Sequence, residues 1–202
     1  MFGLSEKDTR FLRSLNTPSK VQDYLDSIPF NFERKGETCM SPKRVLRERK
    51  AHCIEGAMLA ATAFSLQGKL PFILSLKVDK HDDDHVIALF KENGYWGAVS
   101  KTNHAVLRYR DPVYRSVREL AMSYFHEYFL TTDGRKTMRA FSKPINLKRF
   151  GVKWIASESD LWAIAETIFD SPHTSAVAKE NRRLLRRVTP LERKAASISG
   201  AR

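Results

Sequence analysis

Cys53 and His85 are the two residues whose types and positions could support nucleophilic chemistry. Cys53 stands at the start of an Ala-rich apolar run, residues 54–67, that Gly68 ends, and this pattern predicts a buried helix. Unpaired backbone N–H groups and the helix dipole lower the pKa of a thiol at a helix start, which makes the thiolate available as a nucleophile. A cysteine at this position can equally be a small buried apolar residue, so a second residue must support the catalytic interpretation.

His85 supplies that second residue, because it begins a predicted strand that ends in an Asn93-Gly94 turn. If the turn has two residues, the return strand brings Thr102 opposite His85 and Ser100 diagonal to it on the same face. If the turn has three residues, Lys101 lies opposite His85 instead. A general base needs a neighbour that fixes its tautomer, and either register provides one.

The elements that must position these residues are a central helix and an antiparallel sheet. Strand-like patterns cover residues 72–78, 85–91, 95–100, 105–109 and 137–142. A buried helix followed by strands joined through short turns predicts an α+β fold rather than a doubly wound one.

Further helices are indicated by small polar residues that can cap a helix, most of them followed by Pro. These starts are Thr17-Pro18, Ser41-Pro42, Asp111-Pro112, and Ser157 or Ser159 without the Pro. After Asp111-Pro112, apolar residues keep helical spacing as far as Tyr128, which predicts a helix of almost five turns. A still earlier helix is predicted behind Ser5.

Three runs carry a resemblance to the transglutaminase-like superfamily over about residues 17–112. They are Ala-His-Cys53-Ile-Glu-Gly-Ala-Met-Leu-Ala-Ala, Asp-Asp-Asp-His85-Val-Ile-Ala-Leu-Phe and Trp96-Gly-Ala-Val-Ser100. The resemblance implies the fold shared with papain-like enzymes, with a buried Cys-bearing helix packed on an antiparallel sheet and further helices on both sides in the sequence. It also implies a thiol-dependent acyl-transfer enzyme that hydrolyses or transfers a peptide or amide group, with Cys53 as nucleophile and His85 as base.

The third member of the triad is where the chain departs from this resemblance. The superfamily has an Asp four residues after the Trp, and this chain has Ser100 there. A hydroxyl can accept the imidazole N–H and orient the ring, but it brings no negative charge. Asn103 and Asp111 stay open as alternatives, although Asp111 is also interpreted as the N-cap of the following helix. A catalytically inactive module that binds a peptide, protein or nucleic acid is the alternative function.

Charge and composition favour one domain, residues 1–175, followed by a basic tail, residues 176–202, that is partly disordered or loosely docked. The chain of 202 residues has a net charge of +12, and Lys179–Arg202 carries eight Lys or Arg against two Glu. Contact with a polyanion is therefore expected of this tail. Two cysteines, no apolar run long enough for a bilayer and no signal-peptide pattern predict a reduced cytoplasmic protein without a membrane partner.

No cofactor or metal is expected, and the oligomeric state stays open. The cluster of His81, Asp82 to Asp84 and His85 is interpreted as a solvated loop rather than a metal site. His52 is interpreted as a structural residue that points away from Cys53. Two basic groups, residues 43–50 and the arginines of residues 108–118, form either solvated helix faces or a basic rim that would favour an acidic substrate.

Overall fold

The computed structural model describes residues 2–198, which form an α+β fold, as predicted at that level. The helices are α1 (Glu6–Ser14), α2 (Pro18–Ser27), α3 (Pro42–Glu48), α4 (Cys53–Leu66), α5 (Val117–Ser123), α6 (Trp162–Phe169) and α7 (Pro190–Ala196). The strands are β1 (Phe72–Val78), β2 (His85–Glu92), β3 (Tyr95–Val99), β4 (Arg110–Tyr114), β5 (Met138–Ser142), β6 (Ile145–Asn146) and β7 (His173–Ser175). No helix among the described residues is long and apolar enough to cross a membrane.

The strands form one antiparallel sheet with the order β4-β3-β2-β1-β5-β7, and β6 adds to β1. β2 is buried on both faces. Val86, Ala88 and Phe90 point into a cluster shared with α4, whereas Ile87 and Leu89 point into a second cluster beside α5. Because both faces of β2 are covered, its sequence is a continuous apolar run rather than an alternating one.

Helix α4 is the central helix of the fold. Each residue from Ile54 to Phe64 is buried, as expected for a helix that is apolar on all sides. Gly56 allows the close approach of the chain that follows β3, because a Cβ there would lie 2.5 Å from Cβ of Lys101. The start of α4 therefore packs directly against the segment that contains Ser100.

The hairpin between β2 and β3 confirms the two-residue turn. Glu92 pairs with Tyr95, and both turn residues have positive φ, 49° for Asn93 and 88° for Gly94, as a type I′ turn requires. β3 ends at Val99, opposite Ala88. The pairing of Thr102 with His85 is therefore absent, because the chain leaves the sheet just before Ser100.

The segment after Asp111-Pro112 differs from its prediction, because it forms strand β4 rather than a helix. Pro112 is tolerated there because β4 is an edge strand of the sheet. The helix begins only at Val117, where the Ser116 side chain accepts a hydrogen bond from the Glu119 N–H group. The N-cap role of Asp111 is therefore wrong, and so are the five-turn helix and the strand at residues 105–109.

The C-terminal part of the chain contacts the domain at several places. The Ser157 or Ser159 helix start is wrong, because α6 begins at Trp162. Further on, the Val188 N–H group donates to the Gly134 carbonyl oxygen at 2.9 Å. Arg193 donates to the Thr132 carbonyl oxygen at 2.6 Å. Residues 199–202 of the predicted tail lie outside the described residues.

Candidate active site

Cys53 is the first residue of α4, and its side chain is partly exposed. The chain just before it is fixed by a short parallel bridge between Phe30 and Ala51. His52 then takes an extended conformation, and its N–H group donates to the Glu55 carboxylate at 2.9 Å. This bond closes the first turn of the helix and sets where α4 begins. The Cys53 N–H group belongs to that first turn, where backbone donors have no acceptor within the helix.

His85 and Ser100 form a buried hydrogen-bonded pair. His85 Nε2 lies 2.7 Å from Ser100 Oγ, and the Ser100 hydroxyl donates to the Leu107 carbonyl oxygen at 2.5 Å. A hydroxyl has only one hydrogen to donate, so Ser100 must accept from an Nε2–H group of His85. The neutral imidazole therefore keeps its lone pair on Nδ1, which is the atom that can act as a base.

Gln22 on α2 holds Ser100 in place, and sequence reasoning missed this residue. The Gln22 amide nitrogen donates to the Ser100 carbonyl oxygen at 2.9 Å, and the Ser100 N–H group donates to the Gln22 amide oxygen at 2.9 Å. Both backbone groups of Ser100 are thus satisfied although it lies outside the sheet. The Ser100 side chain is consequently held in one position beside the imidazole.

Two imidazoles activate the Cys53 thiol. Burial raises the pKa of this thiol, but hydrogen bonds to His52 and His85 and the charge of both rings lower it, to about 6 from an ordinary 9.0. Cys39 is the opposite case, because burial raises the pKa of its thiol to about 12. Both cysteines are free thiols. Only Cys53 is therefore a thiolate at neutral pH.

The interpretation of His52 as pointing away from Cys53 is wrong. His52 Nε2 lies 2.9 Å from the Thr38 carbonyl oxygen and 3.4 Å from a Glu55 carboxylate oxygen. Burial lowers the pKa of His52, whereas hydrogen bonds to Cys53 and Glu55 raise it to about 11. His52 is thus an imidazolium beside the sulfur. The His-x-x-Glu spacing, which matches the N-cap and third residue of a capping box, was the available signal in the sequence.

Glu55 is a fully buried carboxylate that links the helix start to the chain before it. Its oxygens accept hydrogen bonds from four donors: the N–H groups of Met40 and His52, the Thr38 hydroxyl and the Asn31 amide. Burial raises the pKa of Glu55, but His52 and the backbone donors lower it to about 2. Glu55 therefore stays charged, and it keeps His52 charged in turn.

Two cavities meet at Cys53. The larger, about 840 Å³, has aromatic walls that include Phe30, Phe32 and Trp162. The smaller, about 360 Å³, is lined by His85 and by polar side chains of the segment after β3. Phe30 and Phe32 also border the smaller cavity. The sulfur therefore lies where two groups could approach it from different sides.

The basic rim is absent, because the described residues that line the cavities include none of the arginines considered for it. Four of these arginines form ion pairs elsewhere: Arg44 with Asp160, Arg47 with Glu158, Arg108 with Asp26 and Arg110 with Glu127. The larger cavity is instead lined by six carboxylates against two lysines: Glu33, Glu37, Asp79, Asp82, Asp83 and Asp84, and Lys77 and Lys80. Its surroundings are acidic although the chain is basic.

The acidic loop before β2 uses its carboxylates to hold its own conformation. Asp84 accepts a hydrogen bond from the Val78 N–H group at 2.8 Å, and Asp82 accepts one from the Thr137 hydroxyl at 2.5 Å. Within residues 2–198, no group of three or more His, Cys, Asp or Glu side chains is arranged to hold a metal ion. These bonds place the start of β2, and hence His85, against the helix start.

The structure brings Cys53, His85 and Ser100 together at one place. Asn103 lines the smaller cavity, but in the described part of the chain no hydrogen bond joins it to His85. Asp111 lies exposed on β4.

No protein-family model matches the chain, and no curated protein matches it.

Proposed function

We propose that the protein is a thiol-dependent acyl-transfer enzyme of the transglutaminase-like class, acting on peptide or amide bonds. The observation that carries this proposal is a thiol with a strongly lowered pKa at a helix start, beside a histidine whose second nitrogen is fixed by Ser100. The buried helix packed on an antiparallel sheet supports the same class. A nucleophile, a base and an orienting group in this relation are what acyl transfer requires.

The proposed reaction has two steps. The Cys53 thiolate attacks the carbonyl carbon, and the carbonyl oxygen becomes an oxyanion to which the Cys53 N–H group can donate. The proton that the Cys53 thiol gave to His85 Nδ1 when the thiolate formed then passes to the leaving amine, as the oxyanion returns to a carbonyl and the C–N bond breaks, which leaves a thioester on Cys53. In the second step Nδ1 takes a proton from water or from an incoming amine, which attacks the thioester and releases the thiolate.

Each cavity has a role in this reaction. One group of the substrate occupies the larger cavity, and the other lies in the smaller cavity beside His85. The carboxylates around the larger cavity favour a substrate with neutral or cationic groups over an acidic one, because charges of one sign steer oppositely charged ligands. A basic rim would have favoured an acidic substrate, so the expectation is now the opposite.

The test of the proposal is acetylation of the protein by para-nitrophenyl acetate as a function of pH. Because the Cys53 pKa is about 6, we expect the acetylation rate to rise through that pH and to level off above it. Mass spectrometry should find the acetyl group on the peptide with Cys53, whereas Cys39, with its pKa near 12, stays unmodified. A rate that rises only in the range of an ordinary cysteine, at about pH 8.5 to 9, would contradict an activated thiol.

The alternative is a module that binds a partner in the same cleft without turnover. Ser100 is the observation that favours it, because the hydroxyl gives His85 no negative charge. An enzyme releases the acetyl group from Cys53 repeatedly, as water or an added amine attacks the thioester. A thiol that is acetylated once and then stays blocked, even with an excess of small amines, would favour the binding module.

Replacing Ser100 tests the third residue of the site. In Ser100→Ala the His85 Nε2–H group loses its acceptor and the tautomer is no longer fixed, so we expect acetylation to slow by about 10 to 100-fold. Asn103→Ala and Asp111→Ala are the matched controls, and both should keep the wild-type rate. The assignment is wrong if one of these controls abolishes acetylation, with an unchanged free energy of unfolding, while Ser100→Ala has no effect.

A further inference from the structure

Tyr128 carries a buried hydroxyl group that has no hydrogen-bond partner within residues 2–198. The residue is only 2% exposed. An unpaired buried hydroxyl costs about 1 to 3 kcal/mol of stability. Tyr124, which is also buried, shows the usual solution, because its hydroxyl donates to the Arg108 carbonyl oxygen at 3.0 Å. The Tyr128 hydroxyl is therefore an exception that the fold alone does not explain.

Tyr128 lines the smaller cavity, together with Cys53 and His85. Burial raises the pKa of Tyr128 well above its ordinary value, and the nearby charges of Cys53, Asp82 and Asp84 raise it further. The group is therefore a neutral O–H donor. Its backbone is fixed, because the Thr137 N–H group donates to the Tyr128 carbonyl oxygen at 3.1 Å.

Other polar side chains of this cavity already have partners. Lys101 Nζ donates to the carbonyl oxygens of Leu25 and Ile28, at 2.7 and 2.6 Å. The Thr102 hydroxyl accepts from the His104 N–H group at 3.1 Å. Lys101 is thus engaged with the end of α2 and not with the cavity. Tyr128 differs from both, because its buried hydroxyl has no partner of either kind among the described residues.

We propose that the Tyr128 hydroxyl donates a hydrogen bond to the carbonyl oxygen of the acyl group that Cys53 attacks, and to the oxyanion that this oxygen becomes. The inference rests on the proposed function and adds a second donor to the Cys53 N–H group. As the S–C bond forms, the electron pair of the C=O bond moves onto the oxygen. The Tyr128 proton stays on its own oxygen throughout, and the bond strengthens as the charge develops.

A donor of this kind suits catalysis because the free-energy cost of burying and orienting the hydroxyl is met when the protein folds. Tyr128 is buried and its backbone is fixed, so little has to reorganise when the substrate carbonyl arrives. In a low-dielectric cavity a hydrogen bond to a developing negative charge is stronger than the same bond in water. Loss of one such donor costs about 100 to 1,000-fold in rate in enzymes that stabilise an oxyanion.

The experiment compares Tyr128→Phe with the wild-type protein using two reagents that attack the same sulfur. Para-nitrophenyl acetate reacts through an oxyanion, whereas iodoacetamide reacts by displacement at a saturated carbon and forms no oxyanion. We expect Tyr128→Phe to slow acetylation by about 100-fold and to leave alkylation unchanged. The free energy of unfolding should stay the same or rise, because the variant removes an unpaired buried hydroxyl.

Tyr124→Phe is the matched control, because it removes a buried hydroxyl that does have a partner. This variant should lose about 1 kcal/mol of stability and keep the wild-type ratio of acetylation to alkylation. An unchanged ratio in Tyr128→Phe overturns the inference and shows that the hydroxyl serves only the cavity or its water. If wild-type Cys53 is alkylated but never acetylated, the proposed function fails, and the inference fails with it.

Discussion

Replacing Cys53 with alanine is expected to abolish acyl transfer, with a loss of about 10,000-fold or more relative to the wild-type protein. In the proposed reaction the thiolate forms the covalent intermediate, and no other described thiol lies at the cavities as an anion, because burial raises the pKa of Cys39 to about 12. Cys53 is less fully buried than Cys39, so removal of its sulfur should cost less packing. The rate of para-nitrophenyl acetate hydrolysis and the free energy of unfolding together check this expectation.

Cys39→Ala is the matched control for that experiment. Cys39 is only 1% exposed, so the variant should lose some stability through the removed packing, but it should keep the rate. His85→Ala should remove most of the activity as well. Because the two groups act as a unit, adding Cys53→Ala to His85→Ala should cost little more. A Cys53→Ala protein that still turns over substrate would show that the nucleophile lies elsewhere.

The features that sequence reasoning predicted correctly are those set by neighbours in the chain. The apolar run after Cys53 ends at Gly68, and α4 follows that pattern closely. Asn93 and Gly94 both accept positive φ, so the position of the β2–β3 turn follows from two residues, although the sequence left two registers open. Local chemistry of this kind also placed the starts of α2 and α3 at Pro18 and Pro42.

The features that it missed depend on contacts between distant segments. Gln22 and Ser100 are 78 residues apart in the chain, and no periodicity relates them. Asp111-Pro112 looks like a helix start by itself, yet the edge of the sheet offered that segment backbone partners on β3. Tertiary contacts of this kind override a local capping signal.

The network around Cys53 is more extensive than a dyad or a triad. His85 approaches the sulfur from the sheet and is oriented by Ser100, whereas His52 approaches from the helix start and is held charged by Glu55. Ser100 brings no negative charge to His85, but the Glu55 carboxylate brings one to His52, the other imidazole beside the sulfur. Glu55 supports a cation that stabilises the thiolate, a role that a triad Asp performs through the base.

Glu55→Gln should lower the free energy of unfolding by about 3 to 5 kcal/mol, because it takes from the charged, partly buried His52 the nearer of its two carboxylates. The glutamine NH₂ group would also meet the N–H donors that the carboxylate accepted. Chemical denaturation of wild type and variant measures this loss. Glu37→Gln is the matched control, since Glu37 lines the larger cavity but is exposed, and it should leave stability nearly unchanged.

The stability that Glu55→Gln loses depends on pH, and the direction of that dependence follows from the pKa shifts of Glu55 and His52. The folded pKa of Glu55 is depressed to about 2 from 4.5, so its contribution is present above 4.5 and is lost as pH falls toward 2. The folded pKa of His52 is raised to about 11 from 6.5, so its contribution is present below 6.5 and is lost as pH rises toward 11. The difference in the free energy of unfolding between wild type and Glu55→Gln should therefore be largest between pH 4.5 and pH 6.5, the two ordinary values, and it should shrink on either side.

Without Glu55 the His52 pKa falls, so half-maximal alkylation of Cys53 by iodoacetamide should move to higher pH. A variant with unchanged stability and an unchanged alkylation profile would show that Glu55 does not hold His52 charged.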